Sequence, residues 1–105
     1  MNKEFTAARI LASKNRLIFS KHFLNLRKNE RDITAEEIKY AIVNGFIFAD
    51  DNAYKAVCKI RNRHIGVVFK FTKSGNDLFV ITAYRLKKDS WDVDSYKNWL
   101  RHKKR

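Results

Sequence analysis

The feature that most constrains the fold is the stretch 65–85, IGVVFKFTKSGNDLFVITAYR, in which two apolar, aromatic runs flank a polar, glycine-containing segment. Such runs around a short loop predict an antiparallel β-hairpin. The expected pairs are Thr72 with Leu78, Lys70 with Val80, and Val68 with Thr82. Because side chains alternate across a strand, one face of the hairpin would be wholly apolar, formed by Val67, Phe69, Phe71, Phe79, Ile81 and Ala83. The other face would carry Val68, Lys70, Thr72, Leu78, Val80, Thr82 and Tyr84.

The chain before Gly45 repeats apolar residues at helical spacing, which predicts helices. A first helix, with room for one break, is expected from about Thr6 to Asn29, with an apolar stripe of Ala7, Ile10, Leu11, Leu17, Ile18 and Phe23. The segment Thr34-Ala35-Glu36-Glu37 matches a capping box, and Ile33 and Ile38 are spaced for a hydrophobic staple. A second helix should therefore run to about Asn44, with Gly45 as a left-handed stop.

After Gly45 the pattern changes to alternation, which predicts strands at 46–49 and 54–61 before the hairpin, with a turn at 62–64. Ser90 or Asp92 can cap a last helix, which precedes a basic tail. The sequence thus predicts a single α+β domain over residues 1–105. Its N-terminal helices, at about 6–45, would pack on an antiparallel sheet of about four strands at about 46–85. A short C-terminal helix and the tail would occupy 86–105.

Charge is the strongest functional signal, because 23 basic residues against 11 acidic ones give the 105-residue chain a net charge of +12. Such an excess indicates a polyanionic partner, with nucleic acid as the first candidate and an anionic membrane surface as the second. In an antiparallel meander, one sheet face would bring together Lys55, Lys59, Arg61, Lys70, Thr82 and Tyr84. We expect RNA contacts from Lys55, Lys59, Arg61, His64 and Lys70, with His64 at a hairpin turn.

Several other functions are disfavoured by the residues present. The single cysteine, Cys58, allows no internal disulfide and is expected to fill the core. His22, His64 and His102 are scattered and lack partners at ligand spacing, so no metal or other cofactor is expected. No stretch resembles a signal peptide or could span a bilayer, and we expect a reducing aqueous compartment and no membrane partner.

The remaining His, Arg, Lys, Thr and Tyr residues suit RNA strand cleavage without a metal. In that reaction a 2′-hydroxyl loses a proton, the leaving 5′-oxygen gains one, and cations stabilise the phosphorane. Histidine can exchange protons near neutral pH, and lysine or arginine can bind the phosphate.

The order of several short motifs adds to this reading. His22 follows Ser20-Lys21, Arg27 and Arg31 come next, and Arg31-Asp32-Ile33-Thr34 leads into the second helix. The helix ends as Ala41-Ile42-Val43-Asn44-Gly45, and the last strand ends as Val80-Ile81-Thr82-Ala83-Tyr84. In this order, the stretch from Ser20 to Arg85 resembles small toxin-type ribonuclease domains of the barnase–EndoU–colicin–RelE group. It is similar in particular to C-terminal toxin domains of contact-dependent inhibition systems.

The resemblance implies a catalytic site made of His22, Thr82, Tyr84 and either Arg27 or Arg31. His22 would act as general base or acid, and one of the two arginines, with Lys59 or Lys70, would bind the phosphate. Thr82 and Tyr84 would position the phosphate or donate a proton, because a tyrosine phenol is a poor base at neutral pH.

The resemblance also implies a biological role. The substrate would be tRNA or other cellular RNA, and an acidic immunity or antitoxin protein would neutralise the enzyme. The toxin would act in the cytoplasm of the producing or a target cell, in the second case after delivery as part of a secreted protein.

Two other functions fit the same composition: a non-catalytic RNA-binding module and a basic protein-interaction domain. An enzyme requires the histidine and the tyrosine to meet at one site, whereas a binding module requires only the basic surface.

Overall fold

A computed structural model of the chain describes residues 3–21, 23–24, 33–50 and 52–85. The elements in chain order are helix α1 (Lys3–Ser13), strand β1 (Leu17–Phe19), helix α2 (Ala35–Asn44), and strands β2 (Phe46–Asp50), β3 (Ala53–Ile60), β4 (Arg63–Phe71) and β5 (Leu78–Arg85). The expected C-terminal helix and basic tail lie outside the described residues.

The α+β fold is confirmed, but the sheet has five strands rather than about four, in the order β1-β5-β4-β3-β2. Strands β2 to β5 form the expected antiparallel meander. The additional strand is β1, which pairs in parallel with β5 through Leu17 and Leu78 at its start.

Strand β1 lies within the stretch for which the sequence predicted a helix with room for one break. Helix α1 ends at Ser13, and Asn15 then adopts a left-handed backbone with φ of 61°. Asparagine visits this region more readily than most residues, so it can end the helix and turn the chain towards β5. The expected apolar stripe was partly right, since Phe23 is buried and Leu11 and Leu17 pack against the core. It was wrong for Ile10 and Ile18, which are 48% and 45% exposed, and it missed the buried Ala8 and Ala12.

The hairpin of β4 and β5 contains a β-bulge that the sequence analysis did not predict. Val68 pairs with Thr82 as expected, but Phe69 pairs with Val80, so Ile81 is an extra residue on β5. Nearer the loop the predicted register was wrong by one residue, since Lys70 faces Phe79.

A shift of one residue exchanges the faces of a strand. Leu78 and Val80, expected on the polar face, are therefore fully buried in the core. Phe79, expected in the core, lies on the opposite face, and the bulged Ile81 is only half-buried. The expected burial of Val67, Phe69 and Ala83 is confirmed.

Helix α2 begins as predicted and ends differently. Both hydrogen bonds of the capping box between Thr34 and Glu37 are present, and Ile33 and Ile38 are buried. Gly45, however, has φ of −82° and ψ of −173°, which is extended backbone rather than left-handed. A Cβ at this position would lie 2.4 Å from the carbonyl oxygen of Ala41 and 2.7 Å from that of Val57. The close carbonyls of the last turn of α2 and of β3, and not a left-handed turn, are thus what require glycine.

Arg9 of α1 joins the two helices. Its guanidinium donates hydrogen bonds to the carbonyl oxygens of Ile42 at 3.0 Å, Val43 at 2.6 Å and Gly45 at 2.9 Å. The last carbonyls of a helix have no partner within the helix, and a cation there also interacts favourably with the helix dipole. Arg9 therefore caps α2 from a neighbouring element.

We predict that Arg9→Gln lowers the free energy of unfolding by about 2–3 kcal/mol, because it removes charge-assisted hydrogen bonds to part-buried carbonyls. Arg16→Gln is the matched control. Arg16 pairs with Asp77 at 3.0 Å, but its side chain is 52% exposed, and exposed ion pairs contribute only about 0–1 kcal/mol. Urea unfolding of both variants measures the difference, and equal midpoints would show that the cap is not stabilising.

Candidate functional site on the outer sheet face

The two helices pack on one face of the sheet, α2 against β2, β3 and β4, and α1 against β5. We call the opposite side the outer face. Because Ala56, Val67 and Val80 are buried towards the helices, their strand neighbours point outward. By this alternation and the pairing registers, the outer face of β3, β4 and β5 carries Ala53, Lys55, Val57, Lys59, His64, Gly66, Val68, Lys70, Phe79, Thr82 and Tyr84.

Strand pairing arranges these residues in rows across the sheet. The three rows are Lys55–Val68–Thr82, Val57–Gly66–Tyr84 and Lys59–His64. Neighbouring strands are about 4.8 Å apart, and residues two apart on one strand are about 7 Å apart. Thr82 and Tyr84 are thus adjacent on the outer face, and Lys55 lies two strands, or about 10 Å, from Thr82. A lysine side chain can span much of that distance.

The ring of Tyr84 lies over strand β4 at Gly66. A Cβ on residue 66 would be 2.8 Å from Cζ and 3.0 Å from the hydroxyl oxygen of Tyr84. Any other residue would collide with the ring, so Gly66 provides the space in which the phenol crosses the sheet. The hydroxyl is thereby placed above the middle strand, between the row that contains Thr82 and the row that contains His64.

The structure places Lys55, Lys59, Lys70, Thr82 and Tyr84 of the sequence-predicted site on the outer face, although the rows of Lys59 and Lys70 are about 20 Å apart along β4. His64 is also on the outer face, but it lies within β4 opposite Lys59 rather than in a turn. Within the described ranges, Nε2 of His64 is a buried polar atom without a hydrogen-bond partner. Because an unpaired buried polar atom is unfavourable, a bound polar group at this point would stabilise it.

Arg61 does not join this face, contrary to the sequence analysis. Strand β3 ends at Ile60, and Arg61 occupies the following turn with φ of 58°. It lines an open depression at the start of α2 together with Thr34, Glu36, Glu37 and Arg63. Arg63 forms an ion pair with Glu37 there. The turn rotates Arg61 out of the alternation that places Lys55 and Lys59 on the outer face.

His22, Arg27 and Arg31 lie outside the described residues, and whether they meet Tyr84 stays a prediction. Ser20, two residues before position 22, is attached to β5 at the bulge. Ser20 Oγ donates a hydrogen bond to the carbonyl oxygen of Ile81 at 2.6 Å and accepts one from the backbone N–H of Phe23 at 3.0 Å. Ser20 is therefore held at Ile81, the residue before Thr82, and the backbone of Phe23 is held to Ser20.

Sequence reasoning missed three residues that shape this face: Ser20, Gly66 and Phe79. A glycine within a strand pattern signals a close approach of another group, so Gly66 could have been found. No local pattern marks the bulge at Ile81, and for this reason neither the bond from Ser20 nor the outward position of Phe79 could have been predicted.

Other chemistries have little support in the described part of the chain. Cys58 lies in the core, and burial raises the pKa of its thiol, which keeps it in the less nucleophilic protonated form at neutral pH. Among residues 3–21, 23–24, 33–50 and 52–85 no group of His, Cys, Asp or Glu could hold a metal ion. Neither described helix is long and apolar enough to cross a membrane.

Comparison with protein families gives one finding. Residues 19–85 match the family described as domain of unknown function DUF4258, and the chain belongs to this family. The match runs from the last residue of β1 to the last residue of β5, so it includes Ser20, Gly66, Thr82 and Tyr84 and leaves out α1. Searches of curated proteins and of solved structures found no match.

We predict that Gly66→Ala and Gly45→Ala have very different effects on stability. At Gly66 the new methyl group meets the far end of a side chain, and the Tyr84 ring can swing away at a cost within about 1 kcal/mol. At Gly45 it meets two backbone carbonyls, one in the last turn of α2 and one in β3, and relief requires moving the backbone at the helix end, with a cost of about 3 kcal/mol or more.

Urea unfolding gives both free energies, and NMR shifts of the Tyr84 ring report its displacement in the Gly66 variant. Equal losses of stability, or an unchanged Tyr84 spectrum in Gly66→Ala, would contradict the close contact.

Proposed function

We propose that this protein is a metal-independent endoribonuclease whose active site lies on the outer face around Thr82 and Tyr84. The observation that carries the proposal is that Thr82 and Tyr84 are neighbouring residues on a sheet face whose charged residues in β3 and β4 are Lys55, Lys59 and Lys70. Hydroxyl donors and cations can stabilise the negative charge that develops when a phosphodiester is converted to a phosphorane.

In the proposed reaction a general base removes the proton of the RNA 2′-hydroxyl, and the 2′-oxygen attacks the adjacent phosphorus. The bond from phosphorus to the 5′-oxygen then breaks, and that oxygen receives a proton from a general acid. The products are a 2′,3′-cyclic phosphate and a 5′-hydroxyl end. No oxidant, metal or second substrate is needed.

Tyr84 is assigned the donor role, because its hydroxyl lies over Gly66 above the middle of the face. Thr82, in the same row as Lys55, would bind a non-bridging phosphate oxygen with that lysine. His22 is assigned the role of general base or acid because Ser20, two residues before it, is hydrogen-bonded to β5 at Ile81. Arg27 or Arg31, with Lys59 or Lys70, would complete the phosphate contacts.

The biological setting is part of the same proposal. A net charge of +12 favours tRNA or another structured cellular RNA as substrate, and an acidic immunity or antitoxin protein as the inhibitor that covers the lysines. The enzyme would act as a toxin in the cytoplasm of the producing or target cell.

We predict that purified protein cleaves RNA in the presence of EDTA and leaves 2′,3′-cyclic phosphate and 5′-hydroxyl ends. His22→Ala and Tyr84→Phe should each reduce the rate by about a hundred- to ten-thousand-fold, the usual contribution of one positioned acid–base group. Lys14→Ala, at an exposed position beyond α1, is the matched control. Rates come from single-turnover cleavage of a labelled RNA, with circular dichroism to check folding.

Gly66→Ala provides a further arm of this experiment, since it keeps the Tyr84 hydroxyl but displaces it. A folded Gly66→Ala variant that cuts as fast as Lys14→Ala would remove Tyr84 from the site. If Tyr84→Phe and His22→Ala also match the control, the proposed site is wrong.

The second candidate function is a non-catalytic RNA-binding module, favoured by the outer-face lysines alone. If Lys55, Lys59 and Lys70 contact three phosphates of a single strand, they contribute about −2 to the slope of log affinity against log salt concentration. We predict that replacing all three with Gln makes the slope less negative by about 2, whereas replacing Lys14 and Lys39 leaves the slope nearly unchanged. Binding without any cleavage by the wild type would favour this module over the enzyme.

A further inference from the structure

Because of the bulge at Ile81, the aromatic ring of Phe79 lies on the outer face and not in the core. Phe79 lies on the outer face opposite Lys70 and beside Ile18 of β1, to which it is also paired. It is half-buried, and it is not among the hydrophobic residues that pack against the core. Ile18 is 45% exposed, so the two side chains form a small apolar surface at the β1–β5 end of the sheet.

This apolar surface is set among positive charges. The ammonium of Lys70 lies 5.9 Å from the centroid of the Phe79 ring. The nearby acidic residue Asp77 is paired with Arg16, and the outer face of β1, β3, β4 and β5 carries no acidic residue. An occupant should therefore combine a flat apolar group with negative charge, as a nucleotide does.

We propose that Phe79, Ile18 and Lys70 form a stacking subsite for one unpaired nucleobase of single-stranded RNA, with Lys70 bound to the phosphate next to that base. This inference rests on the proposed function for its ligand class and adds the position at which the strand is held. The subsite differs from the cleavage site, because it binds a base rather than the reacting phosphate.

The relative strengths of the two contacts favour a base over the Lys70 ammonium as the group that covers the Phe79 ring. An exposed cation–π contact contributes less than the stacking of a base on an aromatic side chain. Lys70 loses little when a base covers the ring, and it gains a charged phosphate partner.

The position also fits a strand that continues to the proposed cleavage site. Phe79 is opposite Lys70, and Thr82 is opposite Val68, so the two outer-face positions are about 7 Å apart along the sheet. A base on Phe79 would thus place a neighbouring phosphate towards Thr82 and Tyr84. Stacking would fix the register of the strand without reading its sequence, because every base has an aromatic face.

The test compares two hexamers of equal charge that cannot be cleaved because they lack a 2′-hydroxyl: hexadeoxyadenylate and an abasic tetrahydrofuran-phosphate hexamer. We expect the wild type to bind the base-bearing strand at least about fivefold tighter, as about 1 kcal/mol of stacking requires. Phe79→Leu, which keeps apolar volume but loses the aromatic face, should abolish this preference and leave abasic affinity unchanged. Lys70→Gln should weaken binding of both strands to a similar degree.

Phe46→Leu is the matched control, since Phe46 lies on the same outer face at the opposite edge of the sheet. It should keep the preference for bases. The subsite is wrong if the wild type shows no preference, if Phe79→Leu retains it, or if Phe46→Leu removes it equally. Each of these results is independent of RNA cleavage. A negative binding result would contradict the subsite but not the proposed ribonuclease, and absence of cleavage would contradict the ribonuclease but not the subsite.

Discussion

The structure depends most on the β-bulge at Ile81 and on the serine that holds it. An extra residue in a strand leaves a backbone group outside the regular ladder, and here the Ile81 carbonyl accepts its hydrogen bond from Ser20 Oγ. Ser20 Oγ also accepts a hydrogen bond from the N–H of Phe23, so one hydroxyl joins the chain after β1 to the bulge in β5. Because the bulge reverses side-chain orientation, Val80 is buried on the helix side of the sheet and Thr82 lies on the outer face.

Two close contacts attach the helices to this sheet. Gly45 lets the end of α2 approach β3 to a distance that a methyl group would prevent, and Arg9 of α1 satisfies the carbonyls that this end leaves unpaired. The helices therefore cover one face of the sheet, and polar groups on the outer face do not have to be accommodated in the core. The division of the molecule into a packed side and a basic side follows from these contacts.

The outer face combines groups that a merely solvated sheet surface would not require. Gly66 lacks a side chain, which lets the Tyr84 ring lie across the sheet, and among the described residues the buried Nε2 of His64 has no hydrogen-bond partner. Both features cost stability in isolation, since glycine weakens a strand interior and an unpaired polar atom is unfavourable. Such costs are typical of positions retained for function, which is why the proposed active site is centred here and not on the depression beside Arg61.

The sequence by itself determined the α+β class, the capping box of α2, the meander of β2 to β5 and the basic character of the chain. These features depend on local periodicity, on the hydrogen bonds of a few consecutive residues and on total charge. Only the tertiary structure decided that residues 17–19 form a strand, because a three-residue strand is stable only when β5 is beside it. Tertiary structure also decided which residues of β5 face outward, since the bulge depends on a hydroxyl that is 61 residues away in the chain. Alternation predicted the outward position of Thr82 and Tyr84 beyond the bulge but misplaced Phe79 before it, because a single inserted residue leaves the strand pattern unchanged and reverses its faces.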